Sequence, residues 1–341
     1  MRRIAFIVPA PFDAVSGGYA YDRRIVAGLR QAGMEVRVVE LEGRHPLPDE
    51  TARKAARAAM DGLGDAVAVI DGLCLPAFDG LDVARAVGLI HHPTALEHGA
   101  PEPEREELRQ IERRLFPATA RLVATSQPTA DGLVEAFGAD PLRVAVVEPG
   151  TDDAPRATGS AAGAGCRVIS VGTLVPRKGH DALLRALARL HDLDWSLVVV
   201  GAADRDPPHA RGLVALAEEL GITQRVRFAG ELRDAALEAE WAEADLFALA
   251  THWEGYGMAV AEALKRGLPV AITHGGAAAV LVKPAWGIVA EPGDHEQLSK
   301  AMRRIIFGRE LRRAMADAAW EAGQRLPSWN AQAAAFAAAL P

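Results

Sequence analysis

Glu254 and Glu262 stand eight positions apart in THWEGYGMAVAEALKRGLPVAIT, with Gly255, Tyr256 and Gly257 directly after the first and an apolar run around the second. Asp245 to Ala250 has the length of a short strand and Met258 to Lys265 suits a helix, so Glu254 falls in a strand-to-helix loop. Gly255 and Gly257 let the chain take positive φ and bring N–H groups close to a ligand, and the helix start adds partial positive charge where an anion can rest. Glu262, about one turn into that helix, can point into the same crevice and accept two hydrogen bonds from a vicinal diol such as a ribose. Glu254 can do the same for sugar hydroxyls. A phosphate cradle between two diol-reading carboxylates describes a nucleotide-sugar site.

Other readings share these residue types. Most glutamates are solvated, although Ala259, Val260, Ala261, Ala263 and Leu264 make unusually apolar company for Glu262. Paired carboxylates also flank the scissile bond in glycosidases. A metal site lacks a third carboxylate or histidine at ligand spacing.

Further candidates lie elsewhere. Arg177 and Lys178 sit between a strand and a helix and could offer charge to a diphosphate, though as bare residues they read first as surface charges. Gly17 and Gly18 fall between the first strand and first helix, where a loop could approach a phosphate, but SGGYA is not a dinucleotide fingerprint. Glu40, ending the second strand, therefore makes a weak case for an NAD site. His91 and His92 end the strand before Pro93, where open α/β sheets carry ligand groups. Pro93 holds His92 extended, so the two rings should point in different directions, with one facing the ligand.

The elements that must position these residues alternate. Ile4 to Val8 reads as a strand, Tyr19 to Gln31 as a helix, and Val36 to Leu41 as a second strand. Strand candidates follow at 66–70, 87–91, 122–125 and 144–147. Ala154 to Gly165 is small, Gly-rich and aperiodic, as a linker would be. The pattern restarts at 168–171 and continues with strands at 197–200, 226–229, 246–249, 270–273 and 288–290. Helices at 182–190, 210–220 and 233–244 separate the earlier of these, which argues for α/β domains with parallel sheets. The 341 residues suffice for two cores, with 50% hydrophobic and 24% charged residues. A net charge of −7 disfavours a general nucleic-acid binder. Cys74 and Cys166 are far apart and point to a reducing, cytoplasmic setting. The opening MRRIAFIVPAPFD reads as a buried strand, not a signal peptide, and no run reaches transmembrane length.

The segment from Glu254 to Glu262, with GLPVAITHGG after it, resembles the E-x7-E signature of retaining glycosyltransferases of the GT-B fold, in glycosyltransferase family 4. The likeness covers nearly the whole chain. VGTLVPRKGHDALLRAL resembles the first strand-loop-helix of that family's donor domain, and SGGYAYDRRIVAGLRQAGMEVRVVEL its amino-terminal βαβ unit. ARLVATSQPTADGL and VAVVEPGTD resemble the end of the acceptor domain, and SWNAQAAAFAAAL the last helix.

The resemblance implies an α/β protein of two Rossmann-like, doubly wound domains facing a central cleft. Residues 1–153 would take the acceptor, 154–165 link, and 166–327 bind the donor, with helix 328–341 crossing back to the first domain. It implies a retaining, metal-independent transfer of a hexose from a nucleotide-diphosphate sugar, UDP- or GDP-linked, to an acceptor hydroxyl on a glycan, lipid or small metabolite. No cofactor beyond that co-substrate is expected. Lys178 matches the diphosphate-binding lysine, while Thr173 replaces the usual arginine and Arg177 could supply that charge. Gly17, Gly18, Gly255, Tyr256, Gly257 and Met258 would line the donor, Glu254 its sugar and Glu262 its ribose. His91 best matches the functional histidine near the acceptor, with His92 as rival, so His91, Glu254 and Lys178 form the expected catalytic set. Ala279 stands where the family often has a glutamate, which leaves GGAAAV a loop role. Thr173 and Ala279 also motivate an alternative, a non-catalytic nucleotide-sugar-binding or regulatory subunit. The arginines at 105, 109, 113, 114 and 121 could meet an anionic membrane, but the intervening glutamates favour an ordinary core-facing helix.

Overall fold

The computed structural model describes residues 2–96, 101–161 and 165–341. Residues 162–164 of the expected linker and 97–100 of the loop after His92 lie outside these. In chain order the first half runs β1 (Arg3–Pro9), α1 (Gly17–Gln31), β2 (Glu35–Leu41), α2 (Glu50–Asp61), β3 (Val67–Asp71), β4 (Val87–Ile90), α3 (Glu102–Ala118), β5 (Arg121–Ala124), α4 (Gln127–Phe137) and β6 (Val144–Val146). The second runs β7 (Cys166–Val171), α5 (His180–Ala188), β8 (Trp195–Val200), α6 (Pro207–Glu219), β9 (Val226–Gly230), α7 (Asp234–Ala242), β10 (Leu246–Leu249), α8 (Met258–Lys265), β11 (Val270–Thr273), β12 (Gly287–Ala290), α9 (His295–Phe307), α10 (Arg309–Gly323) and α11 (Trp329–Ala339).

Two compact units result. Met1–Gly150 with Pro327–Pro341 form one, and Thr151–Leu326 the other. Each holds a six-stranded sheet, in the orders β2-β1-β3-β4-β5-β6 and β12-β11-β10-β7-β8-β9. All the strand pairings recorded are parallel. Parallel strands buried on both faces need apolar residues on both, which is why β1 reads as an unbroken run. Ala5 and Ile7 enter one core, while Ile4, Phe6 and Val8 enter the other.

The first unit's second core is completed by α11. Phe336 is fully buried, 6.4 Å from the Phe6 ring, and a Cβ on Gly28 of α1 would lie 2.3 Å from that of Ala333. The last helix therefore crosses back to the amino-terminal unit.

The expected linker differs. Its described part is stitched to the second unit: the Ala157 amide donates to the Arg266 carbonyl, and those of Thr158 and Gly159 donate to Ala242. Arg156 pairs with Asp317. Small residues let this backbone lie close enough for such bonds, so an aperiodic composition that reads as a free connector is here a packed strap. α3 turns Leu108, Ile111, Leu115 and Phe116 into the core, while Arg105 pairs with Glu102 and Arg114 with Asp79. Among the described residues, no helix is long and apolar enough to cross a membrane.

Candidate functional site

In each sheet the strand order reverses once, and the loops leaving the carboxyl ends of the strands there diverge to leave a crevice. In the second unit the reversal lies between β7 and β10. The loops after these two strands carry Arg177 and Lys178, and Glu254. Residues 76 positions apart thus meet, with Lys178 Nζ 2.5 Å from Glu254 Oε1. Thr251 donates its hydroxyl to the same oxygen at 3.2 Å, and Arg177 Nη1 stands 3.6 Å away while donating to the Trp253 carbonyl at 2.6 Å. Burial alone would push the Glu254 carboxyl up, but Lys178 and Arg177 outweigh it and hold it below its ordinary value.

The backbone sets this geometry. Gly179, at φ +61°, ends the short turn Pro176–Lys178 so close to β10 that a Cβ there would lie 2.0 Å from the Ala250 carbonyl oxygen. Gly276, at φ +67°, lets the following loop bracket Glu254, whose amide donates to Gly275 O and whose carbonyl accepts from Ala277 N. Gly275 and Gly276 thus hold Glu254 in place. His180, next in line, is buried and kept neutral by burial and by Lys178, its pKa lowered to about 3.

The amino terminus of α8 has Gly257 as its N-cap, at φ +98°, and no side chain caps it. Its first amides are thereby available to an anion. Gly255 and Met258 stay partly accessible, while the Tyr256 ring packs inward and is buried. Glu262 is half-buried on the same helix. Burial pushes its carboxyl up to about 7; Arg266 opposes this, and Asp152 and Glu238 add to it.

The first unit has a second cluster. Its sheet reverses between β1 and β3, and Asp22 on α1, Asp71 ending β3 and His91 after β4 converge there. His91 Nε2 lies 3.1 Å from Asp22 Oδ1 and 3.4 Å from Asp71 Oδ2. His92 lies close enough to Glu112 to favour its carboxylate. That buried glutamate accepts from the amide and hydroxyl of Thr94, at 2.6 and 2.7 Å, and so ties α3 to the chain after the histidines. Gly17 and Gly18 are the first two residues of α1, capped by Ser16, and not part of a loop before it. Gly18 faces His91, whose Cδ2 would be 3.3 Å from an added Cβ. Glu40 accepts from the Phe12 amide at 2.9 Å, a structural contact that accounts for an acid at the end of β2.

Asp22, Asp71 and Glu112 are the residues that reading by motif missed. A carboxylate directly after the apolar run Val67–Ile70 was the available signal for Asp71. Asp22 and Glu112 sit in helices where only packing distinguishes a buried acid from a solvated one.

The Glycosyl transferases group 1 family matches residues 162–321, most of the second unit. The chain is 30% identical over 275 residues to the D-inositol 3-phosphate glycosyltransferase of Segniliparus rotundus, covering 75% of this chain and 60% of that protein. It is 31% identical over 239 residues to that of Rhodococcus opacus, covering 65% and 53%. It thus spans little more than half the length of these relatives. Among solved structures it is similar to sucrose-phosphate synthase from Thermosynechococcus elongatus, with a TM-score of 0.84, 20% identity and coverage of 99% and 98%. It is also similar to Anabaena Alr3699/HepE in complex with UDP and glucose, with a TM-score of 0.78, 18% identity and coverage of 100% and 99%. At such identities these two speak for the fold alone. Two six-stranded parallel sheets with a last helix returning to the first unit give this chain the GT-B fold, and the stretch that holds Lys178, Glu254 and Glu262 is the one that matches the group 1 glycosyl transferases.

Proposed function

We propose that this chain is a retaining, metal-independent glycosyltransferase that moves a hexose from a nucleotide-diphosphate sugar to an acceptor hydroxyl. The observation that carries this reading is the convergence of Lys178, Glu254 and the uncapped start of α8 at the strand reversal of one unit. Lys178 and Arg177 would neutralise the departing diphosphate, with the amides of Gly255 to Met258 assisting. The side-chain hydrogen bonds and ion pairs recorded for Glu254 fall on Oε1, and Oε2 would take the sugar hydroxyls. Glu262 would take the ribose. The bond from the anomeric carbon to the phosphate oxygen breaks as the acceptor oxygen bonds on the same face, and the acceptor proton passes to the departing phosphate. UDP is the first donor nucleotide to try, given the bound nucleotide of the Anabaena neighbour, and D-inositol 3-phosphate the first acceptor, given the curated relatives.

The test is turnover of UDP-, GDP- and ADP-sugars with EDTA present, against a panel of sugar, lipid and inositol-phosphate acceptors, with the product anomer read by NMR. Transfer with retained configuration is expected, and Lys178→Ala should lower kcat by about 10²- to 10³-fold, as the loss of one donor to a developing anion does elsewhere. Inverted product or strict metal dependence would overturn the mechanism. Nucleotide binding without turnover against every acceptor would favour a non-catalytic binding subunit, for which Thr173 and Ala279 already argue.

A further inference from the structure

The Asp22–Asp71–His91 cluster is built more tightly than a ligand-contacting histidine needs. Asp22 is fully buried and Asp71 almost so, while about a fifth of the His91 side chain is exposed. The ring is held on several sides. Nε2 faces both carboxyls, Tyr21 meets the ring edge-on at 5.3 Å, and Gly18 leaves the room that a larger residue would take. Each recorded polar contact of the ring falls on Nε2, and Nδ1 has none among the described residues. Nε2 is within hydrogen-bonding distance of Asp22 Oδ1 and 3.4 Å from Asp71 Oδ2, so a proton on it would sit between the two carboxyl oxygens.

We propose that Asp22 and Asp71 are positioning residues that together hold the Nε2–H of His91 and keep its ring an imidazolium. His91 then offers ligand a hydrogen-bond donor at Nδ1 and a fixed positive charge, and it is not a general base. The proton count supports this. Two carboxylates buried side by side cannot both stay charged without compensation. Burial, and then Asp71, push Asp22 up to about 8, while hydrogen bonds from His91 and Asp22 bring Asp71 below its ordinary value despite its burial. Burial pulls His91 down, but the two aspartates outweigh it and raise the ring to about 10. At neutral pH the three groups thus share two protons and carry no net charge. The other titratable groups nearby leave that balance alone. Burial pushes the Tyr21 phenol and Cys74 thiol well up, and lowers His45, so all three stay neutral.

The experiment is long-range ¹H–¹⁵N NMR of the histidine rings in the full chain, labelled at histidine, from pH 6 to 9, with the His91 signals assigned by loss in His91→Gln. Both His91 nitrogens should keep imidazolium shifts through pH 8. In Asp71→Asn and Asp22→Asn the ring should regain a titration midpoint at least one pH unit lower, and only in these variants should kcat acquire a dependence on that ionisation. A neutral ring at pH 7.5 in the wild type would overturn the proposal even if neither variant folds. So would His91 signals shifted by equimolar Zn²⁺ or Mn²⁺ and restored by EDTA, since a metal must displace this proton. The NMR measurement involves no turnover, so it fails or stands apart from the glycosyltransferase reading, on which only the kcat profile rests.

Discussion

Glu262 is a residue whose charge depends on its surroundings more than on its type. Its folded pKa of about 7 lies above its ordinary 4.5, so its ionisation opposes folding. The sign follows from linkage: the folded chain holds a proton that the unfolded chain releases, and the stability tied to it is full below 4.5 and lost as pH rises to about 7. In the proposed site a bound ribose would reverse the balance by giving the carboxylate two donors. Nucleotide affinity of the wild type should therefore rise between pH 6 and 8, while Glu262→Gln should remove that component of the pH dependence and Glu262→Ala should lose about 1.5–3 kcal/mol of binding. Calorimetric titration with UDP at several pH values checks this; identical pH profiles for wild type and Glu262→Gln would take Glu262 out of the ribose role. Glu254 has the opposite lesson. Paired with Lys178, it stays ionised in a buried place, and sequence spacing alone could not reveal that its first partner is a lysine 76 positions away.

At the scale of elements, the loops that matter are those leaving β7 and β10 in one sheet and β1, β3 and β4 in the other. The periodicity that marks their strands was legible: the expected strand at 270–273 and helix at 258–265 coincide with β11 and α8. α11 is harder to read. Its run of alanines carries almost no amphipathic pattern, yet Phe336 seals the core between α1 and β1. Phe336→Ala should cost about 3–5 kcal/mol, as deletion of a buried aromatic ring does. Hydrogen exchange should show the loss of protection in β1 and α1, with β7 to β12 unchanged. Equal loss in both sheets would mean that the two cores do not respond as separate units.

At the scale of the molecule, each unit has its own sheet and two cores, one on each face. Ligands that bind one unit should stabilise that unit first. With UDP at 100 times its dissociation constant, the second unit should gain about 2.7 kcal/mol against unfolding. Exchange should slow most in the loops 172–179 and 251–259, and the first unit's β1 to β6 should change little. Slowing confined to the first unit would move the nucleotide site away from Glu254 and Glu262.

The sequence by itself determined the alternation of elements and the parallel sheets, because these follow from periodicity and glycine placement, while the return of the last helix was implied only by the resemblance to the family. Tertiary structure decided the rest. It brought Lys178 to Glu254, bound the expected linker to the second unit, and set Asp22 and Asp71 against His91. The physical reason is that a side chain's charge and partner depend on which strands become neighbours at the reversal of a sheet, and that order is a property of the packed fold that no local pattern carries.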